Sequence, residues 1–422
     1  MNDKRPIGID LFAGAGGMSL GFEKAGFNIL GAVEIDPVHC AVHEYNFPKT
    51  KMICSDICKI TGQDIREYCG LKNDEAIHVV FGGAPCQGFS MIGKRTFDDP
   101  RNTLVKEYLR IVSELEPKYF VFENVKGLTL GKHRQFLEDF FEETEKMGYQ
   151  IERQYQVLNA LNYGVPQSRE RLFLLGWRKG LKPVKYPLPT HNAKNKMDLK
   201  PTPTVFDAIG DLPDIEHLDE LFENDYSENV IFGEPSEYVR NLNSPDDYSY
   251  IRVYNEKVLT SSTRTKHLEI SIERFKNTEQ GKAETISRFF KLSPTGHCNT
   301  LRAGTASDHG AHTSPRPIHP YKPRCITNRE ALRLHSYPDW FRVHVTKWHG
   351  FRQIGNSVPP LLAKAVASEV IKALQYQPTK PKKKIELYKD ELLSFNMSKA
   401  SLKFNVSKNV IPQRNRKKAK NG

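Results

Sequence analysis

The chain has 422 residues, 38% of them hydrophobic, with 62 Lys and Arg, 50 Asp and Glu and 7 Cys. That length suits one large or two medium domains with a sizeable core, and the odd, scattered cysteines call for no disulfide framework. No apolar run reaches membrane-spanning length, and the first twelve residues hold no charged segment followed by an apolar leader, so the expected setting is a reducing cytoplasm. The formal charge of +12 is mostly a tail: from residue 377 onward stand 13 Lys and Arg against 3 Asp and Glu, leaving 49 against 47 in residues 1–376. That end, with "KPKKK" and "RNRKKAKNG", reads either as solvated, poorly ordered chain or as a nonspecific phosphate anchor.

Residues 7–12 form an apolar run that reads as a strand and lead into "DLFAGAGGMSLGF", residues 10–22. Gly14, Gly16 and Gly17 permit a tight turn and close approach of backbone to a ligand, although similar turns are also purely structural. A second strand, 29–33, ends in "VEID", which puts Glu34 where an acid can hold two ribose hydroxyls. Glycine turn plus acid points to an adenosine-containing cofactor. The Gly-x-Gly-Gly spacing departs from the dinucleotide fingerprint and no second phosphate-binding feature follows, which favours a nucleoside without pyrophosphate, such as S-adenosylmethionine. "CSDIC" brings Cys54 and Cys58 near each other, but Cys69 and His78 complete no zinc spacing, so no metal is expected.

A third strand, 77–81, runs into "GGAPCQGFS". Cys86 thereby falls at the carboxyl edge, where a doubly wound sheet places its site; Pro85 fixes the turn, and Gly83 and Gly88 leave room. Taken alone, this cysteine is a packed small hydrophobe, a metal ligand or a nucleophile. Residues 103–115 carry a helical apolar stripe, and the strand 119–123 delivers Glu123 and Asn124 to the same edge through "FVFENV". "QSRERLFLLG" then sets Gln167, Arg169 and Arg171 before a strand at 172–177. Arginines at i and i+2 of an extended segment point to one side, facing the site or pairing with Glu170 and other surface acids. Strand and helix alternate throughout, which predicts an α/β domain with a doubly wound, mostly parallel sheet.

Five prolines within 183–203 mark a boundary. Residues 201–239 hold eleven acids and no Lys or Arg, a stretch expected to face away from any nucleic acid, before basic and polar residues return over 240–324. A second, irregular domain is the economical reading. Beyond Pro323, "NREALRLHSYPDWF" reads as a short helix meeting a turn at Pro338. "QIGNSVPPLLAKAVASEVIKAL" reads as a Gly-Asn loop leading into a helix opened by Pro359 and Pro360. The apolar face of that helix predicts that it returns to pack on the first domain.

In their order, "DLFAGAGG", "EID", "SDI", "GGAPCQGFS", "FENV", "QSRERLF" and "QIGNSVPPLLAKAVA" resemble the motifs of bacterial-type DNA cytosine-5 methyltransferases, from residue 7 to about residue 374. The resemblance implies a class I S-adenosylmethionine-dependent fold in residues 1–185 plus 345–376, a smaller irregular target-recognition domain with hinge in 186–344, and a basic tail in 377–422. It implies methylation of a flipped-out cytosine, with Cys86 adding to C6, Glu123 stabilising charge at N3, and Arg169 and Arg171 holding O2 and the flanking backbone. For S-adenosyl-L-methionine it assigns Phe12, Ala13, Gly14, Gly16 and Gly17 to the methionine end and backbone cradle. Glu34 takes the ribose, Ile35 a face of the adenine, and Asp56 and Ile57 its amino edge; Pro85, Leu104, Asn356, Ser357 and Val358 complete the pocket.

The implied partner is double-stranded DNA, with a cognate restriction endonuclease linked by system rather than by stable contact, and the chain acting as a monomer. Arg264, Lys266, Arg274 and Arg302 fall in the expected base-reading region, as base readers or as phosphate contacts. Two alternatives stand beside this reading: an RNA cytosine-5 methyltransferase of the same fold, and a non-catalytic DNA-binding regulator, against which the intact Cys86, Glu123, Arg169 and Arg171 argue.

Overall fold

The central strands are buried along most of their length because each faces two cores. The computed structural model describes residues 5–85, 103–129, 134–192, 198–304 and 316–411. Its main sheet comprises β1 (Ile7–Leu11), β2 (Asn28–Glu34), β3 (Lys51–Cys54), β4 (Val79–Gly82), β5 (Tyr119–Val125), β6 (Tyr149–Ile151), β7 (Gln156–Asn159) and β8 (Glu170–Arg178). In β5, Phe120 and Phe122 enter one buried cluster while Tyr119 and Val121 enter the other. Both faces of the sheet are therefore covered, as a parallel sheet requires.

The strand order is β3-β2-β1-β4-β5-β8-β6, with β7 also paired to β8. Neighbours from β3 to β5 run parallel, and β8 is antiparallel to β5, β6 and β7. The doubly wound, mostly parallel expectation holds, with a switch point between β1 and β4. Sequence pattern had not distinguished β8 as antiparallel, and the short β3, β6 and β7 carry too few apolar residues to stand out.

Helices α1 (Gly17–Ala25), α2 (Pro37–Asn46), α3 (Gly62–Cys69), α4 (Thr103–Leu115) and α5 (Arg134–Lys146) accompany the sheet. Later come α6 (Val205–Ile209), α7 (Glu237–Asn243), α8 (Glu269–Asn277), α9 (Asn328–Leu334), α10 (Lys347–Asn356), α11 (Pro360–Leu374) and α12 (Met397–Lys403). None of the described helices is long and apolar enough to cross a membrane. Helix α11 returns onto α1, as its pattern predicts. A Cβ on Gly21 would lie 2.3 Å from that of Ala363, so only glycine allows the two helices to approach this closely.

Two expectations are corrected. Gly355 and Asn356 close the last turn of α10 rather than forming a loop; the connection is residues 357–359. The tail is not simply solvated chain. Residues 377–411 are built into the fold: Ile385–Glu386 pairs in parallel with Arg252–Val253, and Leu393 is fully buried.

Much of the acidic stretch turns out to neutralise neighbouring cations. Asp211 pairs with Arg333, Asp225 with Arg342, Asp214 with Lys322, and Glu216 with Arg324. Glu330 completes this belt: it caps α9 through the Thr327 backbone and receives two hydrogen bonds from Arg324, at 2.7 and 2.9 Å. Burial pushes its carboxyl up, but Arg324, His319 and the cap win and bring it down to about 2. A lowered carboxylate stabilises the fold above its unfolded pKa and loses that contribution as pH falls through the folded value. Glu330→Gln is expected to cost about 2–3 kcal/mol at neutral pH. The variant should also show a flatter fall of thermal midpoint between pH 4.5 and about 2 than the parent; identical profiles in calorimetry would assign the acid sensitivity elsewhere.

Candidate active site

The carboxyl ends of β1 to β5 surround a cavity of about 570 Å³ at the topological switch point. Phe12, Ala13 and Gly14 follow β1 on its wall, and Phe12 holds a φ of 60°, a strained setting for a bulky residue. The glycines divide their work. Gly14, at φ +55°, would present a Cβ to open space, so it borders the cavity without crowding it. Gly17 lines the cavity and also admits the carbonyl of Val358, 2.5 Å from where a Cβ would stand. Gly16 is not on the wall; it makes room for the Phe47 ring, so its assignment to the cradle is corrected to a packing role.

Glu34 ends β2 with its carboxylate braced by backbone: it accepts from the N–H groups of Gly14 at 2.9 Å, Ile35 at 3.0 Å and Asp36 at 2.9 Å. Asp56 caps the short turn Ile57–Lys59 after β3, so the acid and Ile57 are both set at the rim of the same space. Ile35, Pro85, Leu104, Asn356, Ser357 and Val358 complete this wall, and every residue assigned to the cofactor except Gly16 meets at one cavity.

Several wall residues had been given no role. Asp10 is fully buried, and burial raises its carboxyl to about 8 despite the 2.6 Å hydrogen bond from Ser19. His39 and Gln353 are buried on the wall, and among the described residues His39 Nε2 and Gln353 Nε2 have no hydrogen-bond partner. Buried polar atoms of this kind are rare without a ligand or water. Asp10 and Gln353 open the motifs "DLFAGAGG" and "QIGNSVPPLLAKAVA", which could have pointed to them; nothing in the sequence singles out His39.

At the other end of the cavity stand Glu123 and Arg171. In the antiparallel pairing of β5 with β8, Glu123 lies opposite Phe173, which sets Arg171 diagonally on the same face. Arg171 Nε reaches Glu123 Oε1 at 2.9 Å. Burial raises the Glu123 carboxyl, and Arg171 and Arg169 only partly offset it. Gly83 makes the pocket for this side chain, since a Cβ there would fall 2.3 Å from Glu123 Oε2. Asn124 donates to the Ala84 carbonyl at 3.2 Å, tying the end of β5 to the segment that carries Pro85. Cys86, the next residue, lies outside the described residues.

The structure departs from expectation at Arg169. Its guanidinium is 1% exposed and donates to the carbonyls of Leu301, Gly355 and Ser357 at 2.9, 2.7 and 2.7 Å, away from the cavity wall. Arg169 precedes β8, so the i, i+2 rule of an extended strand does not reach it. Beside it Gln167 Nε2 donates to His335 Nδ1 at 2.8 Å, which leaves His335 Nε2–H to donate to the Ser357 carbonyl at 3.1 Å. Burial holds His335 neutral. Of the expected base readers, Arg264 and Lys266 lie over the Phe222 ring, Arg264 pairs with Asp219, Arg274 sits 3.9 Å from Glu284, and Arg302 is exposed.

The model of the C-5 cytosine-specific DNA methylase family matches residues 8–372. The Type II methyltransferase M.XorII of Xanthomonas oryzae pv. oryzae is 54% identical over 416 residues, 98% of this chain and 95% of that one. M1.HphI, a Type II methyltransferase of Haemophilus parahaemolyticus, is 34% identical over 369 residues and 86% of each chain. A solved DNA modification methyltransferase encoded within an E. coli prophage superposes with a TM-score of 0.71 at 34% identity, over 88% of this chain and 100% of its own. With the family's ordered motifs converging on one cavity at the switch point, the chain belongs to the C-5 cytosine-specific DNA methylase family.

Proposed function

We propose that this DNA cytosine-5 methyltransferase takes its methyl group from S-adenosylmethionine and places it on C5 of a cytosine turned out of the duplex. The observation that carries the reading is that one cavity joins the Gly14 and Glu34 wall to the Glu123–Arg171 pair. The wall suits the cofactor chemically. Glu34 offers a fixed carboxylate for ribose hydroxyls, Asp56 and Ile57 suit an adenine edge, and the Gln353 amide nitrogen, without a hydrogen-bond partner among the described residues, suits a polar group of the ligand. When bound, S-adenosylmethionine supplies an electrophilic methyl group.

The protein must make C5 nucleophilic, because cytosine by itself is not. A thiolate at Cys86, adding to C6, does this, and the Arg171 cation favours the thiolate. Glu123, whose carboxyl is raised by burial, holds a proton for N3 as negative charge reaches the ring. Arg171 occupies Oε1 and fixes the acid, leaving Oε2 for the base. Loss of the C5 proton and elimination of the thiol then restore the ring. Turning the base out costs about a few kcal/mol of stacking.

Residues 186–344 serve as the target-recognition region across a DNA cleft, with the chain a monomeric, cytoplasmic modification enzyme of a restriction-modification system. The Type II names of its relatives support that setting.

Bisulfite sequencing of plasmid DNA from cells expressing the chain should reveal protected cytosines within one short sequence, and none with Cys86→Ala; protection that survives the substitution removes Cys86 as nucleophile. Glu123→Gln is expected to lower kcat by about 10²–10⁴-fold. Parent activity should fall as pH rises through the raised Glu123 pKa, a limb the variant lacks; a limb retained by the variant reports another group. Arg169→Lys keeps the charge but replaces the planar fork, whose two terminal nitrogens span the three carbonyls, by a single nitrogen that cannot span them in the same geometry. It should weaken cofactor binding by about tenfold through the displaced 355–357 segment while leaving base contacts intact, and a loss confined to DNA binding in titrations would restore Arg169 to the base.

A further inference from the structure

The family match ends at residue 372, yet the chain beyond it is bound to the same cavity. After Ile385–Glu386 pairs with Arg252–Val253, Leu392 and Leu393 bury themselves against Ala41, Val42 and Tyr45 of α2 and against Ala15. Ala15 belongs to the glycine turn and itself lines the cavity. The segment is pinned at several further points: the Val345 N–H donates to the Leu393 carbonyl at 3.0 Å, Arg342 pairs with Asp390 at 2.6 Å, and Lys403 pairs with Glu44 at 3.0 Å.

Helix α12 then stops at a left-handed residue, Asn405, with φ 53°, and the Val406 N–H closes back on the Ser401 carbonyl. This is the reversal by which a helix commonly ends and its chain changes direction. Six residues on, Ile411 stands on the cavity wall together with His39, Arg352 and Gln353. The chain thus touches the cavity from two sides, behind the glycine turn through Leu392 and Leu393 and on the wall through Ile411.

We propose that residues 385–411 are a built wall of the methyl-donor pocket, in which Ile411 supplies apolar surface that retains the bound cofactor. The inference rests on the reading of this cavity as the S-adenosylmethionine site. Ile411 acts by direct contact in holding the cofactor and takes no part in the chemistry of the reacting atoms.

The test uses the full-length chain with Ile411→Ala and Ile411→Asp, titrated with S-adenosylhomocysteine by calorimetry, alongside methylation kinetics. Removing the apolar contact should weaken binding by about fivefold, and introducing a carboxylate by more. KM for the methyl donor should rise in the same order, while kcat at saturating cofactor and the KM for DNA stay at parent values. Equal affinity in the parent and both variants overturns the wall. A fall in kcat without a change in affinity overturns it too, because the residue would then act on the chemistry. Failure of the parent to bind S-adenosylhomocysteine at all overturns the cofactor reading instead, so the two are told apart.

Discussion

One buried cation holds the ends of the active site together. Arg169 has almost no exposure, and its cost of burial is offset by the three carbonyls that it binds and by the nearby Glu123 carboxyl. Those carbonyls come from residue 301 in the irregular region and from residues 355 and 357, on either side of Asn356. Without the clamp, β8 would still pair with β5, but the chain returning from the far end would lose its fixed distance to the cavity. The neutral His335, held between Gln167 and Ser357, reinforces the same point from the opposite side. The two neighbouring arginines are thus placed differently: Arg171 lines the cavity beside Glu123, and Arg169 binds the carbonyls of the frame around it.

The sheet and most of the cavity were legible because their signals are local. An apolar run ending in a charged residue, as at Glu34 and Glu123, tells both strand and sheet edge. A glycine cluster after the first strand tells a close approach. The separate duties of Gly14, Gly16 and Gly17 were not legible, since they depend on Phe47 and Val358, residues 30 or more positions away that only the folded chain brings near. Arg169 was misplaced for a similar reason: its spacing fits a strand, but the strand begins one residue later.

The tail shows a different limit. Its charge suggests solvated chain, and composition averages over the few apolar residues that decide the matter. Leu392 and Leu393 are two positions in a basic segment, yet they complete a cluster that α2 and the glycine turn leave open. The acidic stretch hid its partners in the same way: its composition does not tell that Asp211 and Asp225 are buried against arginines more than a hundred residues later.

The cavity draws its wall from Phe12, Val358 and Ile411 alike, and α1 packs closely on the returning chain, against Val358 at Gly17 and against α11 at Gly21. A chain emerging from the ribosome therefore carries its first strands long before it owns a complete site. Contacts of such sequence separation form late. The cavity takes its last described wall residue, Ile411, from a segment about four hundred positions beyond Phe12, so closing it waits on contacts between distant parts of the chain.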